Sequence, residues 1–279
     1  MDLSLLLPEW QGSATDAAVA QGARALAAHL GVDRFVEIDA PDDETLEVRH
    51  GVIGLGSIAP RFARALEAIR ERQPARIFTV GGTCGVELAP VSYLNDRYRG
   101  DLAVVWLDAH ADLNTPETSP SGRFHGMVLR TLLGAGPAVL VDALPRRLSP
   151  GQVVLAGARD LDRDEAAFVS DSAVSLLPPA DLLVPDRVTG RIRAAGFTRV
   201  YVHLDLDVLD PAAFPDTLVP AAGGASIDQV VETVAALDAA LDVVGFSVVE
   251  FRPRSADAVT RVARLLERCG VTIGALAGA

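Results

Sequence analysis

The sequence predicts an α/β protein with a mainly parallel sheet of eight strands wrapped by helices. Two observations carry that reading. Short apolar runs alternate with amphipathic helical stretches along the chain, and residues able to do chemistry fall just after the runs, where the loops of parallel strands gather. At 279 residues and 49% apolar the chain can bury the core such a fold needs, and no linker divides it, so one domain over 1–279 is expected.

Taken in order, the apolar runs lie at 3–7, 34–38, 76–80, 102–107, 152–156, 173–177, 200–204 and 243–249. Each has roughly the 4 to 8 residues expected of a buried strand. Helices fill the gaps. The clearest is 256–269, where Val259, Val262, Leu265, Leu266 and Cys269 share one stripe, which makes Cys269 a small core residue. Leu177-Pro178-Pro179-Ala180 and Pro185 read as a connection before a helix, and 145–151 as a surface loop.

Composition removes several classes of function. A net charge of -12 repels nucleic acid and anionic membranes alike. Every basic residue is Arg, so Schiff-base and lysine-nucleophile chemistry is excluded. Cys84 and Cys269 are too few for a disulfide framework and suit a reducing cytoplasm. The opening Met1-Asp2-Leu3-Ser4-Leu5 lacks a basic leader, and its apolar run falls far short of the ~20 residues of a membrane span.

The chemistry sits in Asp108-Ala-His110-Ala-Asp112 and Asp205-Leu-Asp207, each after a strand candidate. Their every-second-residue spacing points the polar groups of an extended segment to one side. Carboxylates buried together need protons, partners or a cation. Four aspartates and an imidazole suit Mn(II), with Fe, Co or Zn as alternatives. Two such ions held close together acidify a shared water and allow hydrolysis without a protein nucleophile. The plainer alternative is that these aspartates are loop and capping residues; two motifs after two strands, the second running into Asp210-Pro211, favour the metal site. Gly81-Gly82-Thr83-Cys84-Gly85, Gly157-Ala158-Arg159-Asp160 and Glu250 follow three further strands, so five loops face one pocket.

With these motifs in place, the chain resembles the ureohydrolase (arginase and agmatinase) superfamily from about Gly81 to Glu250. The resemblance rests on Gly81-Gly82, on Asp108 to Asp112, and on Asp205-Leu-Asp207-Val-Leu-Asp210-Pro211. It implies a three-layer α/β/α fold and two Mn(II) ions that support cleavage of a guanidinium C–N bond. By the same resemblance Asp108 and Asp205 bridge the ions, Cys84 and Asp112 complete one, and His110 and Asp207 the other. The loop from Asn114 through Ser119 and Ser121 to His125 is similar to the arginase branch, where the matching residues bind the substrate α-carboxylate and His125's counterpart shuttles a proton. Asp160, Asp162 and Glu165 match residues that read the α-amino group, and Glu250 the one that grips the guanidinium. Taken alone, the acidic block reads as a helix N-terminus. Family members form trimers or hexamers, and the resemblance extends that expectation here.

Two departures stand out. Cys84 occupies the place of a family His ligand, and Thr83 that of the Asp before it. A thiolate ligand would shift the metal toward Zn, Fe or Co; a non-ligating Cys would leave that ion weak or absent; retuned chemistry would suit an N-hydroxyguanidine. A merely buried apolar Cys is the plain alternative. Thr217-Leu218-Val219-Pro220 also lacks the family's Thr-Gly-Thr-Pro, leaving the contacts beside the guanidinium open. The expected function is therefore hydrolysis of L-arginine or a close α-amino analogue to ornithine and urea. The alternatives are an N-hydroxy-L-arginine hydrolase, an agmatinase or guanidino-acid hydrolase, and a weakly active metal-binding relative.

Overall fold

The structure is a computed structural model that describes residues 3–15 and 17–270; the remainder of the expected 1–279 domain lies outside the described residues. The strands are β1 (Leu3–Leu7), β2 (Phe35–Glu37), β3 (Val48–Arg49), β4 (Val52–Ile53), β5 (Ile77–Gly81), β6 (Ala103–Leu107), β7 (Val153–Ala156), β8 (Ser175–Leu177), β9 (Arg199–Asp205) and β10 (Asp242–Val249). The helices are α1 (Ala18–Gly31), α2 (Leu55–Arg72), α3 (Leu88–Arg97), α4 (Val128–Leu132), α5 (Ala138–Val141), α6 (Arg163–Asp171), α7 (Asp186–Ala194), α8 (Ile227–Ala240) and α9 (Ala258–Arg268). Eight strands form one sheet in the order β2-β1-β5-β10-β9-β6-β7-β8, and every pairing in it is parallel. All eight expected strands are present, with ends shifted by a residue or two.

Period-two side chains split this sheet into two cores. On one face Leu5, Val104, Trp106, Leu155 and Tyr201 pack with residues of α2, α3 and α4. On the other Phe78, Val105, Leu107, Val202 and Phe246 pack with residues of α1, α7, α8 and α9. The result is the three-layer α/β/α arrangement. Cys269 is buried in the second core, as its helical stripe predicts.

Two local readings need correction. The 145–151 segment is not wholly a surface loop: Leu148 is buried, and Ser149 and Gln152 form a capping box on a short turn at Pro150–Gln152. The antiparallel pair β3–β4 escapes a strand search because each strand has two residues, too few to show alternation. Its turn, His50-Gly51, carries positive φ at both positions, the requirement of a tight hairpin. Ile53 N–H donates to the Gly122 carbonyl (2.9 Å), so this hairpin braces the 114–125 loop.

Candidate functional site

The sheet order sets β5, β10, β9 and β6 side by side, and each ends in a residue of interest. Cys84 opens a turn after β5, Glu250 follows β10, Asp205 ends β9 with Asp207 in the next turn, and Asp108 follows β6. Gly82 locks this junction: its N–H donates to the Leu7 carbonyl and its own carbonyl accepts from Glu250 N–H (both 2.9 Å). A Cβ there would lie 2.0 Å from the Glu9 carbonyl oxygen, so no larger residue fits. Glu250 and Asp112 both adopt positive φ (59° and 53°), an unusual state for acidic side chains that clusters where function demands a particular direction.

The loops enclose a cavity of about 230 Å³. Cys84, His110, Asp112, Asp205, Asp207 and Glu250 line it, and so do Asn114, Ser119, Ser121, His125, Asp160, Asp162 and Glu165. Asp108 alone of the expected residues does not; it is buried and reached through His110, whose backbone N–H donates to Asp108 Oδ1 (2.6 Å).

Among the described residues, metal-capable donors form two groups, each with ligand atoms within 4.8 Å of one another. One holds Asp108, His110 and Asp207; the other holds Cys84, Asp108, Asp205 and His203. Asp112 belongs to neither group, although its Oδ2 is buried without a partner. His203 is the residue that motif reading missed. Its signal was present, because His203, Asp205 and Asp207 continue the same every-second spacing backwards into β9. His203 is fully buried, stacked on Trp106 with ring centroids 3.5 Å apart, and its Nδ1 lies 3.1 Å from Glu87 Oε1. Glu87 Oε2 accepts from the Tyr201 hydroxyl (2.6 Å). A carboxylate on Nδ1 directs the other nitrogen's lone pair outward, the usual support of an imidazole ligand. That other nitrogen, Nε2, has no hydrogen-bond partner and lies 3.7 Å from Asp108 Oδ2.

Electrostatics show what this group lacks. Like charges within 4.8 Å of one another repel by roughly 3 kcal/mol or more at an effective dielectric near 20. Burial, then the charges of Asp207 and Asp108, pushes Asp205 well above the ordinary carboxylate range. Asp112 is raised for the same reasons, burial first and Asp108 next. Asp207 is raised to about 7 by burial and Asp108, against hydrogen bonds from His110 and Ala109 N–H. Burial also drives the Cys84 thiol well up, helped by Asp112 and Asp205, and its Sγ lies 3.2 Å from Asp205 Oδ2 as a donor. Asp108 goes the other way: burial opposes its charge, but hydrogen bonding with His110 and the imidazole of His203 nearby hold it below the ordinary range. Burial opposes charge on His110 too, and hydrogen bonding to Asp108 and Asp207 outweighs it. Divalent cations would relieve this crowding, and the partnerless Asp112 Oδ2 and His203 Nε2 are donors such ions would use.

Glu250 and His125 stand beside that group. Glu250 Oε1 accepts from Cys84 N–H and lies 3.1 Å from His125 Nδ1, while Oε2 is buried without a partner. On the 114–125 loop, Ser119 Oγ accepts from Gly122 N–H (3.0 Å) and Ser121 Oγ from Arg123 N–H (3.2 Å), and the two hydroxyls lie 3.5 Å apart, so one donates to the other and the second keeps its hydrogen for a ligand. Asn114 Nδ2 donates to Asp162 Oδ2 (2.8 Å). Glu165 is more occupied than the sequence suggests: its oxygens accept from Leu113 N–H and Asp162 N–H (both 2.8 Å), forming a capping box at the start of α6. Asp160 stays largely exposed, 3.9 Å from His110 Nε2. Arg159 donates to the carbonyls of Gly157, Asp207, Val208, Ala221 and Ala222, pinning the loop that carries Val219 into the cavity. Thr83 Oγ1 donates to buried Glu9 (3.0 Å), which supplies from β1's loop a carboxylate beside the Cys84 turn.

Residues 16–269 match the family model described as the Arginase family. The chain is 36% identical over 153 residues to an arginase of Staphylococcus aureus (strain COL), covering 53% of this chain and 50% of that relative. It is 34% identical over 169 residues to the N(omega)-hydroxy-L-arginine amidinohydrolase of Streptomyces lavendulae, covering 58% of each. These sequence matches span only about half the length of the curated relatives. The solved structure of Entamoeba histolytica arginase, in complex with L-ornithine, superposes with a TM-score of 0.85 at 20% identity, covering 98% of this chain and 97% of that one, which shows the shared fold. With a family match running from the first helix to the last and the whole architecture superposable, the chain belongs to the arginase family, whose members are amidinohydrolases acting on C–N bonds.

Proposed function

We propose that the protein, acting as one domain over 1–279, hydrolyses the guanidinium group of L-arginine or a close α-amino analogue to L-ornithine and urea or a substituted urea. The observation that carries this reading is Glu250: a buried carboxylate oxygen with no partner, in a cavity whose other walls are a metal-capable acid cluster and a loop of hydroxyls. A guanidinium is the cation whose planar N–H fork fits such an acceptor.

Cys84, Asp108, Asp205 and His203 would hold one divalent ion and Asp108, His110 and Asp207 the other, with Asp112 beside them. The oxygen-rich set fits Mn(II), and the thiol opens the site to Zn, Fe or Co. Bound there, such ions lower the pKa of water and stabilise charge at the attacked carbon. Glu250 orients the guanidinium through Oε2 while His125, steadied by Oε1, carries a proton to the departing amine. Ser119, Ser121 and Asn114 donate to the α-carboxylate. Asp160, Asp162 and Glu165 face the α-amino group. A cytoplasmic location and assembly into trimers or hexamers belong to the same proposal, to be tested by fractionation and light scattering. Among the described residues no helix is long and apolar enough to cross a membrane.

An N-hydroxyguanidine is the second reading, and specific observations favour it. The Cys84 thiol stands where the family has an imidazole, Val219 lines the cavity without the polar group of the family motif, and one relative bears that activity in its name. The test is to load the protein with Mn(II) and quantify ornithine, urea and hydroxyurea from L-arginine, N-hydroxy-L-arginine and agmatine. Ornithine from either amino acid supports the reading; the absence of any product from all three rejects it, and faster agmatine turnover assigns the site to a decarboxylated substrate.

A further inference from the structure

Glu9 is a buried carboxylate that the hydrolytic reading leaves without a task. It stands in the loop after β1, only 6% exposed, and does not line the cavity. The guanidinium whose charge reaches it, Arg61, is paired instead with Glu44 (3.0 Å), while Arg61 Nε and Nη1 are buried without a hydrogen-bond partner. A carboxylate in such a place is costlier than an apolar side chain unless its oxygens are used. Glu9 Oε1 accepts from the Thr83 hydroxyl (3.0 Å) and from Gly12 N–H (2.9 Å). The backbone leaves room for this junction: a Cβ on Gly12 would lie 2.7 Å from both Glu9 Oε1 and Thr83 Oγ1.

Both donors lead to the same side chain. Thr83 precedes Cys84, whose N–H donates to Glu250 Oε1 (3.1 Å). The Gly12 carbonyl accepts from His125 N–H (3.1 Å), and His125 Nδ1 lies 3.1 Å from Glu250 Oε1. Glu9, Thr83, Cys84, Glu250, His125 and Gly12 therefore close a ring in which Glu250 Oε1 is fixed from two sides and Oε2 stays unpaired. A closed, satisfied ring holds one geometry, because no member can turn without breaking a bond on either side. Its far corner needs one oxygen that accepts twice, which Glu9 supplies. We propose that Glu9 is a positioning residue: through Thr83 and Gly12 it holds the Cys84 turn and His125 in register, and so fixes the Glu250 carboxylate that meets the guanidinium. The inference rests on the roles given to Glu250 and His125 in the guanidine-hydrolysis reading.

The experiment compares wild type with three variants. Glu9→Met keeps the length of the side chain without a strong acceptor, Glu9→Gln keeps an accepting oxygen, and Thr83→Val cuts one limb of the ring while leaving Glu9 in place. The Mn(II)-loaded proteins are assayed with L-arginine and N-hydroxy-L-arginine, and calorimetry with L-ornithine counts competent sites. Per ornithine site, Glu9→Met should lower kcat by about 10- to 100-fold, the span of groups that orient a working residue through a hydrogen bond. Thr83→Val should lower it by roughly two- to tenfold, the worth of one neutral hydrogen bond, and carries the test if Glu9→Met does not fold. Glu9→Gln should stay within about threefold of wild type, since both bonds survive. Ornithine affinity should hold within about twofold throughout, because ornithine offers no guanidinium to Glu250. Glu9→Met and Thr83→Val that melt earlier but keep kcat per site make the ring a brace of the fold and overturn the assignment. Glu9→Gln as impaired as Glu9→Met overturns it too, because the accepting oxygen would then not be what matters. A wild type that turns over no guanidine rejects the hydrolytic reading instead; the assignment is then decided by calorimetric binding of L-arginine, which Glu9→Met should weaken by about tenfold while ornithine binding holds.

Discussion

The two halves of the acid cluster differ in how their charges are settled. On the His110 side an imidazole stands 3.0 Å from Asp207 Oδ2 and 3.4 Å from Asp108 Oδ1, so the negative charge already has an internal partner. The Cys84 side is deeper: Cys84, Asp108, His203 and Asp205 are all buried, the thiol donates to Asp205, and His203 Nδ1 is held by Glu87 while its Nε2 has no hydrogen-bond partner among the described residues. A thiol at position 84 thus does not leave this half without a nitrogen donor, because β9 brings the His203 imidazole to it.

The largest effect should come from the carboxylate both halves share. Asp108→Asn is expected to lower kcat/KM by about a thousandfold or more, beyond the ~10- to 100-fold of supporting positions, and to reduce bound metal on both sides. Elemental analysis beside steady-state kinetics checks it. Retention of full metal content and near-normal rate would show that Asp108 is not the shared group.

A sharper cut separates the halves. Glu87→Gln keeps the size of the side chain but removes the charge that directs His203 Nδ1, and Glu87 touches nothing on the His110 side. We expect activity to fall by about 10- to 100-fold, with metal lost from one half only. Equal metal content in variant and wild type would remove His203 from the ligand set. Cys84→His, made alongside, should restore the oxygen and nitrogen donor set and raise the preference for Mn(II) over Zn.

The contrast also explains what the sequence displayed and what it hid. All eight strands of the main sheet were legible, because each is a fully or half-buried run in a parallel sheet with no competing pattern. The His110 side was legible as well, since its donors Asp108, His110 and Asp207 all belong to two short every-second-residue motifs, each just after a strand. On the Cys84 side Cys84, Asp108 and Asp205 were legible and His203 with its support was not: Tyr201 and His203 lie inside the apolar run of β9 and Glu87 in the turn after β5, where a buried polar residue is read past as core. The contact of Glu165 with Leu113 and the brace from β3–β4 were hidden for another reason. The hydrogen bond from Leu113 N–H to Glu165 and the brace from Ile53 to Gly122 join segments distant in sequence, which no local period encodes, whereas the Asp162–Glu165 capping box is a local pattern.

Acidity offers a test in stability. Raised carboxylates keep protons in the folded state that the unfolded chain has lost, so their contribution is complete below the unfolded value and fades as pH rises through the folded one. For Asp207 that window runs from 3.8 to about 7, and Asp112 and Asp205, raised as well, act in the same direction. Asp108, lowered instead, acts only on the acid side of that window. Chelator-treated protein should therefore melt at progressively lower temperature from pH 5 to pH 8, while Mn(II)-loaded protein should hold or gain stability over the same range. Parallel curves with and without metal would mean that these carboxylates do not face a common ion.

The smallest effect belongs to the rim, where neutral donors face solvent rather than a buried charge. Ser121 is exposed, and its Oγ already accepts from Arg123 N–H, so Ser121→Ala removes one hydroxyl donor and slightly loosens the backbone that carries Arg123. A hydrogen bond from a neutral hydroxyl that water can replace is worth about 0.5 to 1.5 kcal/mol at such an exposed site, or roughly two- to tenfold in affinity. The loss should appear in KM for arginine or N-hydroxyarginine, with kcat nearly unchanged, because the missing contact is made equally in the bound and reacting states. Agmatine, with no carboxylate to lose, should not respond. A fall in kcat for all three substrates would place Ser121 in the chemistry instead, and would mean that the loop from Asn114 to His125 acts as one rigid unit with the cluster it borders.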